Sequence, residues 1–142
     1  MYYRRTKSKY GNKKSEFEGI TFDSVKERDR YIFLSGQLKE GNIRDLQRQV
    51  KFQLIPARYE NKIVHLKTKT KLKPFCVSKA ENYFADFTYY RTDNNEFVVE
   101  DVKGLDKRTG KPFVTREFIL KSKIFELRYG FDITIITDTT KF

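Results

Sequence analysis

Apolar side chains recur along this chain at two spacings, one helical and one alternating, and the changes between them mark out the elements. Ser24-Val25-Lys26-Glu27 sets a serine three residues ahead of a glutamate, the capping-box pattern of a helix start. Phe22 and Tyr31 are placed to pack across that start. Tyr31, Leu34 and Leu38 follow at helical spacing, and Gly41 supplies the stop. Ile43 to Leu46 and Val50 to Ile55 are short apolar runs that predict two strands, the second ended by Pro56. Tyr59-Glu60-Asn61-Lys62 reads as a turn, Ile63 to Leu66 as a strand, and 67–79 as a basic, polar connection.

The strongest local signal lies between residues 83 and 103. Tyr83 to Tyr90 and Phe97 to Lys103 are rich in β-formers and flank the turn sequence Thr92-Asp93-Asn94-Asn95, which predicts an antiparallel hairpin central in its sheet. A polar loop with Gly104 and Gly110 follows. Residues 115–129 then return to the helical period through Phe118, Ile119, Ser122 and Phe125, closed by Gly130. Phe131 to Thr137 predicts a last strand. The order helix, strands, helix, strand implies an α/β sandwich around a mixed sheet.

Composition narrows the picture. The 142 residues suit one domain, and an aromatic content of 15% argues for a packed core despite only 38% hydrophobic residues. No apolar run approaches the ~20 residues that span a bilayer, and the N-terminus lacks a signal-peptide pattern, so a cytoplasmic protein is expected. A formal net charge of +11 points to a polyanionic partner, since basic side chains on phosphates release condensed counterions. Residues 1–15, with Arg4, Arg5, Lys7, Lys9, Lys13 and Lys14 and no acid, read as a flexible basic arm ahead of a single domain over 16–142. One cysteine, Cys76, and one histidine, His65, exclude an internal disulfide, a multi-cysteine zinc site and any chemistry needing two histidines. Catalysis on a polyanion would fall to carboxylates and lysines.

Two acids stand in the hairpin where burial calls for apolar residues. A two- or four-residue turn sets Asp86 directly opposite Asp101, with Cβ atoms about 4.5–5.5 Å apart. Carboxylates that close repel unless a cation lies between them, and a divalent ion with oxygen ligands suits the gap. Lys103, two residues on from Asp101, shares its face. A three-residue turn would shift the register by one, so that Asp86 would share its face with Glu100 rather than with Asp101. The same acids would equally serve as ion-pair partners of nearby lysines or arginines at a sheet edge.

Asp86 followed at a spacing of fifteen by Asp101-Val102-Lys103, with Glu27 on the preceding helix, resembles the PD-(D/E)xK nuclease core. Phe22-Asp23-Ser24, Gln49-Val50-Lys51-Phe52-Gln53-Leu54, Ala85-Asp86-Phe87 and Val99-Glu100-Asp101-Val102-Lys103-Gly104 extend the likeness, over about residues 10 to 137, to a small phage-encoded family of Holliday-junction-type endonucleases. Ala85 stands where the superfamily motif often carries proline. The resemblance implies a restriction-endonuclease-like αβββαβ core and cleavage of branched or recombining DNA. It implies Mg²⁺ or Mn²⁺ held by Asp86, Asp101, Glu27 and the Val102 carbonyl. Lys103 would orient or help deprotonate the attacking water, and Gln49 would stand beside the site. Paired cuts in a junction imply a homodimer.

Lys121, on the second helix, and the alternating Lys67, Lys69, Lys71 and Lys73 are candidates for phosphate contact, although such charges are often only solvated. Glu27 has a second role available as part of the helix cap. A restriction-like or transposase-like cutter would use the same residues. From another class, a non-catalytic binder of single-stranded or structured nucleic acid would also be basic and aromatic-rich; the two helices and the acids among the strands speak against it.

Overall fold

The computed structural model describes residues 13–142. The basic arm expected over 1–15 lies outside the described residues except for Lys13, Lys14 and Ser15, and Ser15 already opens a strand. That strand, β1 (Ser15–Phe17), pairs with β2 (Ile20–Phe22) in a hairpin absent from the sequence reading. Its turn is Glu18-Gly19, both at positive φ (50° and 76°), the conformation that matches strand twist in a two-residue turn. Phe17 and Phe22 lay their rings 6.4 and 5.3 Å from that of Tyr31 on helix α1 (Val25–Lys39).

Helix α1 starts and stops for the local reasons its sequence supplies. Ser24 Oγ accepts the Glu27 N–H at 3.1 Å. At the other end Gly41 takes φ 80°, so that its N–H reaches the Leu38 carbonyl and the Asn42 N–H reaches that of Gln37, a Schellman motif.

Strand β3 (Ile43–Ile55) joins into one element the two runs expected as separate strands. Asp45 and Gln49, at φ 55° and 49°, absorb its irregularities without ending it. The segment after Pro56 departs further from expectation. Tyr59–Lys62 is not a turn but part of β4 (Arg58–His65), and most of the expected polar connection is β5 (Thr70–Ser78), the two forming a separate antiparallel arm. Every β5 residue is exposed, so no buried apolar face marked the arm as strands, and the alternation of its lysines was the one regular signal there.

Strand β6 (Glu81–Arg91) follows, then the four-residue loop 92–95, closed by the Arg91 N–H on the Glu96 carbonyl (2.9 Å), and β7 (Phe97–Val102). Helix α2 (Arg116–Tyr129) is capped by Thr115, whose Oγ1 accepts the Phe118 N–H, and ends at Gly130 with φ 82°. The last strand, β8 (Thr134–Ile136), is shorter than the expected run 131–137, because Phe131 and Ile133 enter the core outside the ladder. The main sheet has the order β3-β6-β7-β8, antiparallel except for the parallel pair β7–β8. The fold is α/β, a mixed sheet with two helices. Among the described residues no helix is long and apolar enough to cross a membrane.

The core is divided in two. Phe22, Leu34, Ile43, Phe87, Tyr89 and Val98 cluster beneath α1, whereas Leu54, Tyr83, Ala85, Val99, Phe118 and Phe125 cluster with α2. Tyr83, Ala85, Phe87 and Tyr89 are alternate residues of one strand and would share a face in a regular sheet. They are split between the two clusters, so the alternation of β6 breaks between Ala85 and Phe87. The residue at the break is Asp86.

Candidate active site

Irregular backbone at Asp86 is matched on the neighbouring strand. Gln49, at positive φ, lies between the pairs Arg48↔Phe87 and Val50↔Ala85 and is therefore opposite Asp86. Its Nε2 donates to Asp86 Oδ1 at 3.3 Å. On the other side, the β6–β7 ladder runs from Tyr90↔Phe97 to Phe87↔Glu100, the register that a four-residue loop requires, and stops one pair short of Asp86 and Asp101. Where the next ladder bond would fall, the Asp86 carboxylate takes the Val102 N–H through Oδ2 at 2.7 Å. Asp86 thus faces the end of β7 through a side chain inserted between the strands, not across a regular pair.

Asp101 is buried, and Tyr83 donates its hydroxyl to Oδ2 at 3.0 Å. Its Oδ1 receives no aligned hydrogen bond and has Lys103 Nζ at 2.6 Å as a charge partner. The same ammonium lies 4.4 Å from the centre of the Phe118 ring, which fixes its direction. Glu27 approaches from the first turn of α1, with Oε1 on the Ser24 hydroxyl at 3.3 Å. Glu27, Asp86, Asp101, Val102 and Lys103 line one cleft of about 640 Å³, together with Phe84, Leu105 and Phe113.

The electrostatics of this cleft are those of crowded acids. Burial, then the negative charges of Asp101 and Glu27, pushes the Asp86 carboxyl up to about 7 against an ordinary 3.8. Glu27 is raised as well, by burial first, then by Asp23, with Asp101 contributing. Tyr83 is held protonated far above its ordinary value by burial and by Asp101, so it remains a donor to that carboxylate.

Whether these residues suit a divalent cation can be judged from their donor atoms. Among the described residues, no three His, Cys, Asp or Glu side chains are gathered closely enough to hold a metal ion as they stand. The carboxylate oxygens are turned to Val102, Tyr83, Ser24 and Lys103 instead. The buried Asp101 Oδ1 without an aligned donor, the all-oxygen composition and the mutual repulsion of the acids nevertheless fit a hard cation, which would replace Lys103 as the counter-charge.

The other sequence candidates divide. Glu100, the substitute for Asp101, points to the opposite face of β7, where Arg30 grips it through Nε at 2.8 Å and Tyr89 donates to it at 2.6 Å. Lys121 is committed to Glu117 at 3.0 Å and to the Asn82 carbonyl at 3.3 Å, and does not line the cleft. Lys67 and Lys69 flank the turn of the β4–β5 arm, and Lys71 and Lys73 lie on β5. Tyr83, Phe84, Leu105 and Phe113 escaped the sequence reading. The available signal was adjacency: Tyr83 and Phe84 precede Asp86 closely, and Leu105 follows Lys103 by two. Phe113 is brought back by a tight loop, its N–H on the Gly104 carbonyl at 2.7 Å and Leu105 bridged to Pro112.

A family model described as "Protein of unknown function (DUF1064)" matches residues 7–142, and the chain belongs to that family. No curated protein and no solved structure matches it.

Proposed function

We propose that this member of the DUF1064 family is a metal-dependent endodeoxyribonuclease that hydrolyses phosphodiester bonds in branched or recombining DNA, in the manner of a Holliday-junction resolvase. The observation that carries the reading is the convergence of Glu27, Asp86, Asp101 and Lys103 on one cleft, with the Asp86 carboxyl pushed up to about 7 by burial and by the neighbouring acids. Taken without the β1–β2 hairpin and the β4–β5 arm, the elements α1, β3, β6, β7, α2 and β8 follow a restriction-endonuclease-like αβββαβ order. The basic balance of the chain suits a DNA substrate.

Asp86, Asp101 and the Val102 carbonyl would hold Mg²⁺ or Mn²⁺, with Glu27 as a further carboxylate. Such an ion supplies Lewis-acid polarisation of a phosphate and a lowered pKa for water. The chain's own groups do the rest. Lys103 orients water toward the phosphate and offsets charge as it develops. Tyr83 holds Asp101 in place by its hydroxyl, and Gln49 does the same for Asp86. Cutting a four-way junction twice calls for a homodimer.

Cleavage of a labelled four-way junction, beside matched duplex and single strands, tests the reading in Mg²⁺, Mn²⁺ or EDTA. Metal-dependent cutting of the junction by the wild type and none by Asp101→Asn is the expected result. Cutting of linear duplex alone would keep the nuclease and discard the junction preference. No cutting of any substrate would remove the activity.

A further inference from the structure

The β4–β5 arm holds a disproportionate share of the protein's charge. Residues 58–79 contain Arg58, Lys62, Lys67, Lys69, Lys71, Lys73 and Lys79 against Glu60 alone, six of the eleven net positive charges. The single acid is taken by Arg58 at 2.8 Å, and among the described residues no carboxylate lies within ion-pair distance of the lysines.

Register sets three of these charges, Lys62, Lys71 and Lys73, on one face, which they share with Glu60, Val64 and Phe75. Lys62 is directly opposite Lys73, and Lys71, paired with Val64, is on the same side of the ribbon. Tyr59, Ile63, Leu72 and Pro74 fall on the other side. Like charges directly opposed across a pair of strands destabilise it, and a two-stranded ribbon is marginal to begin with. Lys62 Nζ lies 3.7 Å from the centre of the Phe75 ring, which steadies one ammonium and leaves the repulsion with Lys73 in place. A face built in this way is stabilised by a polyanion.

Its position relates it to the cleft. The arm leaves the main sheet between Ile55 and Glu81, at the end where β6 begins and β7 delivers Lys103. Asp86 is five residues into β6, roughly 17 Å from the base of the arm at the usual rise per residue. The eight residues of β4 extend about 26 Å beyond that base, the length of about eight base pairs. A two-stranded ribbon is also of a width that the major groove of B-DNA admits.

We propose that the lysine face of the β4–β5 arm binds the phosphate backbone of a DNA duplex that runs outward from the cleft. The substrate is then one with a continuous double-stranded arm of about eight base pairs or more beside the cut. This deepens the nuclease reading and rests on it for the relation between arm and cleft.

Binding of a fluorescent 30-base-pair duplex by the full chain, followed by anisotropy in EDTA across a range of salt, separates the possibilities. With Lys62→Gln, Lys71→Gln and Lys73→Gln combined, the slope of log affinity against log salt should fall by about 2–3, in proportion to the phosphates that are no longer neutralised. The corresponding triple replacement by arginine should keep the wild-type slope, which shows that charge and not folding is being read. An unchanged slope in the glutamine variant overturns the proposal. An unchanged slope accompanied by a change in sedimenting mass overturns it too, and assigns the ribbon to contact with a second copy. Wild type that fails to bind duplex overturns this proposal and leaves the nuclease reading to the cleavage assay. Arm-dependent binding with no cleavage of junction, duplex or single strands in Mg²⁺ or Mn²⁺ supports the arm and removes the nuclease alone.

Discussion

Arg30 and Glu100 form a two-pronged ion pair between α1 and β7 with both side chains sealed from solvent, 0% and 1% exposed. Arg30 also donates to the carbonyls of Thr139 and Lys141, and Tyr89 donates to Glu100, so the pair ties a helix, two strands and the final residues together. Glu27 is one helical turn before Arg30, and Asp101 is the residue after Glu100. The clamp thereby sets the distance at which the helix presents its acid to the strand's.

Breaking one side of this pair leaves a buried charge unmet. Arg30→Ala or Glu100→Ala should therefore cost about 3–5 kcal/mol of stability, read from urea unfolding. Replacing the two together with apolar residues of similar volume should recover most of that loss. Equal stability of wild type and either single variant would show that the pair is not the anchor its burial implies.

For the proposed catalysis, Asp86→Asn, Asp101→Asn and Lys103→Ala should each lower cleavage at least about a hundredfold in saturating Mg²⁺, the usual scale for losing a charge-stabilising group. Their far-ultraviolet circular dichroism should match the wild type. Loss of folding in all three would mark the cluster as a structural ion-pair network.

Glu27 combines a cap and a candidate ligand, and two substitutions separate them. Ser24→Ala removes the hydroxyl that accepts the Glu27 N–H and should cost about 0.5–2 kcal/mol of stability. Glu27→Gln leaves that hydroxyl in place and should lower cleavage with little change in melting temperature. Full cleavage by Glu27→Gln would confine the residue to the cap.

Asp86 makes the metal-free protein sensitive to pH. Its carboxyl is raised to about 7 in the folded protein from an ordinary 3.8, so the folded chain holds this proton more tightly than the unfolded one. The contribution is fully present below about pH 4 and is lost as pH rises toward 7 and beyond, on the order of 2–4 kcal/mol in all. In EDTA the wild type should therefore lose stability between about pH 4 and 7 relative to Asp86→Asn, and Mg²⁺ should restore it. Parallel pH profiles of the two proteins, measured by thermal melting, would contradict this.

Much of this molecule was legible locally. Both helices begin at side chains that satisfy their own first turn, Ser24 and Thr115, and end at glycines free to take positive φ, Gly41 and Gly130. Those are interactions within four or five residues, and a linear sequence records them. The loop 92–95 likewise fixed the hairpin register, and with it the face of β7 that carries Asp101 and leaves Glu100 to Arg30.

What needed the tertiary structure was whatever depends on an absent or a distant neighbour. The β4–β5 arm buries no apolar face, so its strands left no hydrophobic run in the sequence, only the alternation of lysines. The break in β6 at Asp86 answers Gln49 on a strand 37 residues away and a Val102 N–H from a third strand. A regular ladder was the expectation from spacing alone. Only the packed sheet, with two helices demanding opposite clusters from one strand, decided that Asp86 would turn its carboxylate between strands and into the cleft. The acids themselves were set by the sequence; their convergence is a property of packing, because no local interaction holds Glu27, Asp86 and Asp101 together.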